Sequence, residues 1–355
     1  MALHFHKLSV VDIRRETADC VSIAFEVPED LKQTYQFIQG QNVTVKTELD
    51  DVRRSYSICS SPLDGELRVA VKKVPNGIFS TFASEKLKKG DLLEVMPPSG
   101  SFYTEVMAGQ AKKYVFFAAG SGITPVISMI KTILRVEQES EVTLVYGNKN
   151  TASIIFKQEI EDLKDRFLQR FRVYHILSRE RTDSDFNYGR IDVSKCNHLS
   201  RLIDLDAVDD FFICGPEEMI FTVKDFLQGW GIEDKSIHFE LFTTPTRKNT
   251  RIYEAPPQVI DGGSEITIRV DGRSHSLLLD YNSNTILDAG LAQGIDLPFA
   301  CKGGVCCSCR AKLLEGEIEM EANYGLEDSE VKDGYILTCQ SHPRSEKVVV
   351  DFDAK

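Results

Sequence analysis

Four cysteines in the last quarter of the chain carry the clearest chemistry. Cys301, Cys306 and Cys309 share one short stretch, and Cys339 follows 29 intervening residues later, beside Tyr335-Ile336-Leu337-Thr338. Thiolates are soft ligands that suit zinc and iron–sulfur clusters alike, so ligand type does not separate the two. Spacing does. Structural zinc sites typically use two short pairs, whereas three crowded cysteines plus one distant cysteine is the arrangement that holds two irons and two bridging sulfides. In Ala300-Cys301-Lys302-Gly303-Gly304-Val305-Cys306 the glycines allow the loop to fold its amides toward sulfur. The spacing predicts a 2Fe–2S cluster, a centre that passes electrons singly. Cys307 sits inside this loop but off the spacing, and is expected to be a plain buried or exposed thiol.

A source for those electrons is suggested upstream. Arg53-Arg54-Ser55-Tyr56-Ser57 reads as a strand, and Gly77-Ile78-Phe79-Ser80-Thr81 opens a helix about 20 residues later. An arginine beside a helix N-terminus clamps pyrophosphate through charge-assisted bonds and free amides. Tyr56, on the same strand face as Arg54, is placed to pack on a flat ring. Alone, this string also fits a surface arginine beside a strand tyrosine. Ala118-Ala119-Gly120-Ser121-Gly122-Ile123-Thr124-Pro125 then follows a buried strand and opens a helix, where a dinucleotide pyrophosphate would sit, although Pro125 replaces the third glycine of the usual fingerprint. Cys214-Gly215-Pro216 closes a later strand at the edge where open parallel sheets bind ligands.

The elements that position these residues form three blocks in a chain of 355 residues. Residues 1–107 show short alternating strands at Leu8–Ile13, Cys20–Val27, Asn42–Thr47, Arg54–Cys59, Glu66–Val74 and Leu92–Met96, which predicts a small antiparallel barrel. Residues 108–243 change rhythm. Strands at Lys113–Ala119, Val142–Tyr146, Phe171–Leu177 and Asp210–Cys214 alternate with helices near Pro125–Glu137 and Ile155–Phe167 and from Glu217, predicting a doubly wound parallel sheet. The stretch around 244–263 loses periodicity and reads as a linker. Residues 264–355 open with a hairpin, Ile266–Val270 and His275–Leu279 around Asp271-Gly272, and a short helix at Thr285–Ala292 precedes the cluster loop.

Composition narrows the classes. Net charge is −12, which argues against nucleic acid or an anionic membrane as partner. Residues 264–355 carry 16 acidic and 9 basic side chains, so −7 falls on the cluster block; this suits docking on a basic partner, and equally a solvated surface. The five cysteines outside the ligand set (Cys20, Cys59, Cys196, Cys214, Cys307) are scattered, as expected of free thiols in a reducing compartment. No secretory leader or bilayer-length apolar run is read, so a cytoplasmic protein is expected. The seven histidines are dispersed and form no catalytic metal set with glutamate.

In motif order, barrel then nucleotide block then cluster block, the chain resembles the ferredoxin–NADP reductase superfamily, and within it the three-domain reductases that feed bacterial oxygenases. Glu321-x-Asn323-Tyr324-x-Leu326, Cys339-Gln340 and the ending Val348-Val349-Val350-Asp351-Phe352-Asp353-Ala354-Lys355 are most similar to the reductase components of phenylacetyl-coenzyme A epoxidase systems. The resemblance implies a β-grasp-like ferredoxin block of α+β type and a path from NADPH through FAD and the cluster to a separate oxygenase component, a diiron epoxidase. It also implies residue roles. Arg54 would bind the FAD pyrophosphate, Tyr56 stack on the isoalloxazine, and Ser57 bond near its reactive nitrogen. Val71 and Lys72 would line the ribose–adenine side, with Gly77 and Ser80 at the phosphates. Gly120, Gly122 and Thr124 would meet the nicotinamide dinucleotide, Cys214 would lie near the hydride-donating carbon, and Glu240 and Phe242 would lie beside the flavin. A plain buried thiol is the competing reading of Cys214.

The 2′-phosphate of NADPH needs cations, whereas NADH sites usually offer a carboxylate to the ribose. Ser178-Arg179 looks like the serine–arginine pair of NADP reductases, with Arg190 in support. Asn148 and Lys149, not an acid, end the strand at Val142–Tyr146. NADPH is therefore the expected donor, with NADH as the alternative. The linker is expected to raise the effective concentration of the cluster at the flavin and to let the cluster block swing toward a partner. The same motifs would serve a ring-hydroxylating dioxygenase or a steroid hydroxylase, or a redox-sensing module.

Overall fold

A computed structural model describes residues 4–46, 52–243, 262–281 and 283–354. Most of the expected linker, and Thr47 at the end of an expected strand, lie outside the described residues.

The first block holds β1 (His6–Thr17), β2 (Cys20–Glu26), β3 (Asn42–Lys46), β4 (Arg53–Ser57), β5 (Leu67–Lys72), α1 (Ile78–Glu85) and β6 (Leu92–Val95). The strands pair antiparallel in the order β4-β3-β6-β1-β2-β5. Just past β4 an Ile58–Val69 bridge, with Cys59 N–H donating to the Arg68 carbonyl at 2.8 Å, brings the two edges together. Period-two alternation sends Val43, Val45, Val21, Ile23, Phe25, Val69, Val71 and Val95 inward as one core. β1 outruns its expected span because irregularities at Val10/Asp12 and Arg15/Thr17 let it bend while it stays paired with β2.

The second block contains β7 (Lys113–Ala119), α2 (Ile123–Val136), β8 (Glu141–Asn148), α3 (Lys157–Arg166), β9 (Phe171–Leu177), α4 (Val193–Leu199), β10 (Asp210–Cys214), α5 (Glu217–Trp230) and β11 (Ile237–Glu240). The sheet is parallel, ordered β11-β10-β7-β8-β9. Its apolar strands serve two cores. Tyr114, Phe116 and Ala118 join the layer of α2 and α3, while Val115 and Phe117 join that of α4 and α5. This is why β7 reads as a continuous apolar run. α2 begins two residues before its expected start, because Pro125 fits in a first turn whose N–H groups lack intrahelical partners anyway. β11 is absent from the expected strands; four residues at a sheet edge carry too short a pattern to read.

A polar seam joins these two blocks. Lys131 of α2 is buried between Asp64 (2.6 Å) and Glu159 (2.7 Å), and Ser128 Oγ donates to the Ser60 carbonyl at 2.6 Å.

The third block comprises β12 (Gly263–Val270), β13 (Arg273–Asp280), α6 (Ile286–Ala292), β14 (Arg310–Glu315), β15 (Ile318–Met320), α7 (Asp328–Lys332), β16 (Tyr335–Leu337), β17 (Ser341–Pro343) and β18 (Lys347–Asp351). Its mixed sheet runs β13-β12-β18-β14-β16, with β12 and β18 parallel, and β15 pairs with β17. Asp271 and Gly272 take φ of +53° and +68°, the left-handed pair that a two-residue hairpin requires. α6 buries Ile286 and Leu287 against Ile266, Ile268 and Val350.

Candidate active site

Neither end of the cysteine set is brought in by chance. β14 pairs with β16 from Arg310–Leu337 to Lys312–Tyr335, and just beyond that ladder Thr338 Oγ1 donates to the Cys309 carbonyl at 2.8 Å. Cys339 is thereby carried back to Cys309. The thiol of Cys301 lies within hydrogen-bonding reach of Cys306 and Cys339, and Cys339 of Cys309, so the four sulfurs form one continuous group. Gly303 N–H points to Cys301 Sγ at 3.3 Å and Cys301 N–H to Cys306 Sγ at 3.4 Å. Lys302 and Cys307 hold left-handed backbones, φ +52° and +56°. Such conformations cost on the order of 1 kcal/mol each and persist where the surroundings fix them; here they wrap the loop around sulfur. Among the described residues no three His, Cys, Asp or Glu side chains form a single-ion site. A binuclear centre asks instead for two thiolate pairs separated by the bridging sulfides, and four grouped thiols with inward amides fit that demand. Cys306, Cys309 and Cys339 are buried and Cys301 is exposed. Cys307 is buried in the domain core, and a Cβ added at Gly325 would stand only 2.6 Å from its sulfur.

On the barrel, Arg54 is exposed and donates to the Arg53 carbonyl at 2.7 Å. Tyr56 packs against Phe79 of α1, ring centroids 5.3 Å apart. Ser80 Oγ accepts from Val74 N–H at 3.2 Å and reaches the Gly77 carbonyl at 3.4 Å, closing the turn into α1. Val71 is fully buried in the barrel core, so the surface offers only its backbone.

At the nucleotide sheet, strand order reverses between β7 and β10, the point at which open α/β sheets bind ligands. A cavity of 530 Å³ lies there, lined among others by Gly120, Ser178, Arg179, Arg190, Gly215 and Phe242. Lys72 of the barrel and Lys149 add further cationic groups to its wall. Gly120 takes φ +54°, and its carbonyl accepts from Tyr146 Oη at 2.9 Å. Gly122 serves packing instead. A Cβ there would stand 2.0 Å from the Cys214 carbonyl, so its bareness lets the β7 and β10 turns touch. Thr124 is buried, its Oγ1 donating to the Ser121 carbonyl at 3.0 Å. Thr124, Gly122 and Cys214 thus shape the turn from behind and do not line the cavity. Arg190 faces Glu218 at 3.4 Å, both well exposed.

The three residues expected to act at the flavin converge. β10–β11 register sets Cys214 beside Glu240, and Ser57 Oγ donates to Glu240 Oε2 at 3.2 Å across the barrel–sheet boundary. Burial pushes the Glu240 carboxyl up to about 8, against the lowering effect of the Ser57 bond and with a further upward push from Cys306. Burial, then the Glu240 charge, raises the Cys214 thiol well above its ordinary value. Cys214 is thus a protonated thiol. Val305 of the cluster loop packs in the same core as Leu241, a burial that contributes about 1.5–3 kcal/mol. A second cleft of 510 Å³ opens where the three blocks meet, with Glu240 and Cys306 in its wall.

Sequence reasoning missed the contacts that hold the cluster block in place. Arg53 donates to the Leu297 carbonyl at 3.3 Å, Thr44 Oγ1 meets Ser308 Oγ at 3.0 Å, and Ser101 Oγ donates to the Gly325 carbonyl at 2.9 Å. Strand alternation was the available signal for Arg53, since it must face away from Arg54 and Tyr56.

A barrel, a doubly wound sheet with a nucleotide-sized cavity and a four-thiol loop, meeting at one junction, define a flavin and iron–sulfur oxidoreductase that uses a pyridine nucleotide. Comparisons agree. The oxidoreductase FAD-binding domain family matches residues 7–103, the oxidoreductase NAD-binding domain family residues 116–225, and the 2Fe-2S iron-sulfur cluster binding domain family residues 268–344. A component of 1,2-phenylacetyl-CoA epoxidase from Escherichia coli (strain K12) is 45% identical over 354 residues, covering 99% of this chain and 98% of its own. The ferredoxin reductase component of 3-ketosteroid-9-alpha-monooxygenase from Rhodococcus rhodochrous is 32% identical, covering 97% and 96%. The solved structure of phthalate dioxygenase reductase covers 98% of both chains with a TM-score of 0.58 at 24% identity, a likeness of fold. The chain belongs to the family of three-domain FAD, NAD and 2Fe–2S reductase components that includes this phenylacetyl-CoA epoxidase component. Among the described residues no helix is long and apolar enough to cross a membrane.

Proposed function

We propose that this reductase draws electrons from NADPH and delivers them to a cytoplasmic diiron oxygenase component that epoxidises the ring of phenylacetyl-CoA. The observation that carries the acceptor is the 45% identity, along nearly the whole chain, to a component of phenylacetyl-CoA epoxidase. The 32% identity to a ketosteroid monooxygenase reductase supports the same electron chain with a less similar acceptor system.

When bound, FAD supplies the conversion of one two-electron delivery into two single-electron transfers, and the cluster relays these. The chain's own residues orient that exchange. Arg179, Lys149 and Ser178 offer charge and hydrogen bonds to a 2′-phosphate at the cavity wall, and Gly120 lets the backbone approach the pyrophosphate. Phe242, at the cavity edge, and Tyr56, packed on Phe79 of the barrel, would hold the flavin ring. Glu240, held by Ser57, keeps a proton at Oε near neutral pH and stands between the flavin side and Cys306. Cys301, the exposed thiol of the four, would be the expected ligand nearest the electron acceptor.

The test is reconstitution of the purified protein with a phenylacetyl-CoA oxygenase complex, NADPH and oxygen, assaying epoxide by mass spectrometry with cytochrome c reduction in parallel. Epoxide together with cytochrome reduction is expected. Cytochrome reduction without epoxide would sink the acceptor and keep the reductase.

A further inference from the structure

We propose that Arg53 is the positioning residue that clamps the cluster domain onto the flavin barrel and so governs transfer from flavin to cluster, without touching either group. The inference rests on the electron path of the proposed function. In β4 the side chains alternate: Arg54 is exposed on the flavin-facing side, whereas Arg53 points the other way and is only 8% exposed. Three cluster-domain partners of Arg53 lie just ahead of Cys301, the first cysteine of the expected ligand set. Its guanidinium stands 4.1 Å from the Phe299 ring centroid, it donates to the Leu297 carbonyl at 3.3 Å, and Asp296 lies 4.0 Å away. From the barrel side, Phe5 covers it at 5.2 Å.

The Asp296 contact is weak, because that carboxylate is 86% exposed and well screened. The stacked cation and the carbonyl bond carry the clamp. Arginine suits this role, since its planar, weakly hydrated guanidinium can stack and donate at once; a lysine keeps the charge and loses the plane. The far end of the ligand loop is held by the neighbouring strand, where Thr44 Oγ1 meets Ser308 Oγ, next to Cys309. β3 and β4 thereby grip both ends of the loop that holds Cys301, Cys306 and Cys309. Transfer between fixed centres falls steeply with their separation, so a loosened clamp slows this step alone. Any swing of the cluster domain must break the Arg53 contacts together with the Thr44–Ser308 and Ser101–Gly325 bonds.

The experiment uses the full-length holoprotein. Anaerobic stopped-flow mixing with NADPH follows flavin bleaching and cluster reduction separately in wild type, Arg53→Gln, Arg53→Lys and Phe299→Leu. Flavin reduction within twofold of wild type, with cluster reduction at least tenfold slower in Arg53→Gln and Phe299→Leu and partial recovery in Arg53→Lys, is the expected result. Undiminished cluster absorbance shows that each variant has folded and loaded. Cluster reduction in Arg53→Gln within twofold of wild type overturns the clamp. Failure of NADPH to reduce the flavin in wild type overturns instead the electron path on which the clamp rests.

Discussion

Ser57 and Glu240, 183 positions apart, share a 3.2 Å hydrogen bond that ties the barrel to the last strand of the nucleotide sheet. The bond fixes a carboxyl group between the expected flavin face and the expected ligand Cys306, in surroundings dry enough to keep it protonated near neutral pH.

Glu240 should therefore shape how stability varies with pH. Its folded value of about 8 lies above the ordinary 4.5, so the folded state binds this proton more tightly than the unfolded chain. The stabilisation is complete below about 4.5 and is lost as pH rises through 8, with a slope of at most about 1.4 kcal/mol per pH unit. Urea titrations of wild type and Glu240→Gln at pH 5 and pH 8.5 check this. The wild type is expected to lose more stability between the two, and equal losses would refute the raised value.

Nucleotide choice should respond to Arg179 and much less to Arg190. A charge-assisted bond contributes about 1.5–3 kcal/mol, so Arg179→Ala is expected to raise the KM for NADPH about 10- to 100-fold and leave that for NADH nearly unchanged. Arg190 already faces Glu218, and Arg190→Ala should shift the NADPH KM by less than about threefold. Steady-state kinetics with both nucleotides decide it; equal losses for NADPH and NADH in Arg179→Ala would dismiss the phosphate contact.

Two cysteines in one region should behave oppositely. Cys339→Ser is expected to abolish the visible absorption and electron paramagnetic signature of the cluster while NADPH still bleaches the flavin. Cys307→Ser should keep that signature and destabilise the protein by about 1–2 kcal/mol, the cost of placing a hydroxyl in an apolar pocket. A cluster lost in Cys307→Ser would show that this thiol holds iron.

Gly122→Ala tests the contact between the β7 and β10 turns. The new Cβ would meet the Cys214 carbonyl at 2.0 Å, and backbone cannot yield as a flexible side chain does. A loss of about 2–4 kcal/mol is expected, with weakened nucleotide binding, measured by thermal melting and NADPH titration. An unchanged melting temperature would mean the turns separate freely.

Local chemistry made much of this protein legible. The cysteine spacing pointed to the 2Fe–2S domain that the family match shows over residues 268–344, and the alternating and continuous apolar runs announced a barrel and a parallel sheet, because side-chain period follows backbone geometry. The turn after β7 was readable for the same reason. The four-residue β11, the pair β15 and β17 and the short α7 escaped, being too brief to show a period.

What only the tertiary structure decided are meetings between distant side chains. Ser57 reaches Glu240, and Arg53 reaches Phe299, because separately folded layers are packed together, and no local pattern records which face of one layer will meet another. Gly122, Thr124 and Cys214 share the nucleotide turn in sequence logic, yet packing sets them behind it and brings Lys72 of the barrel to the cavity wall. Sequence by itself determined which groups can do the chemistry, since residue type fixes charge, softness and hydrogen-bonding capacity. Packing determined which of them stand at the junction, since burial and distance are properties of the assembled domains alone.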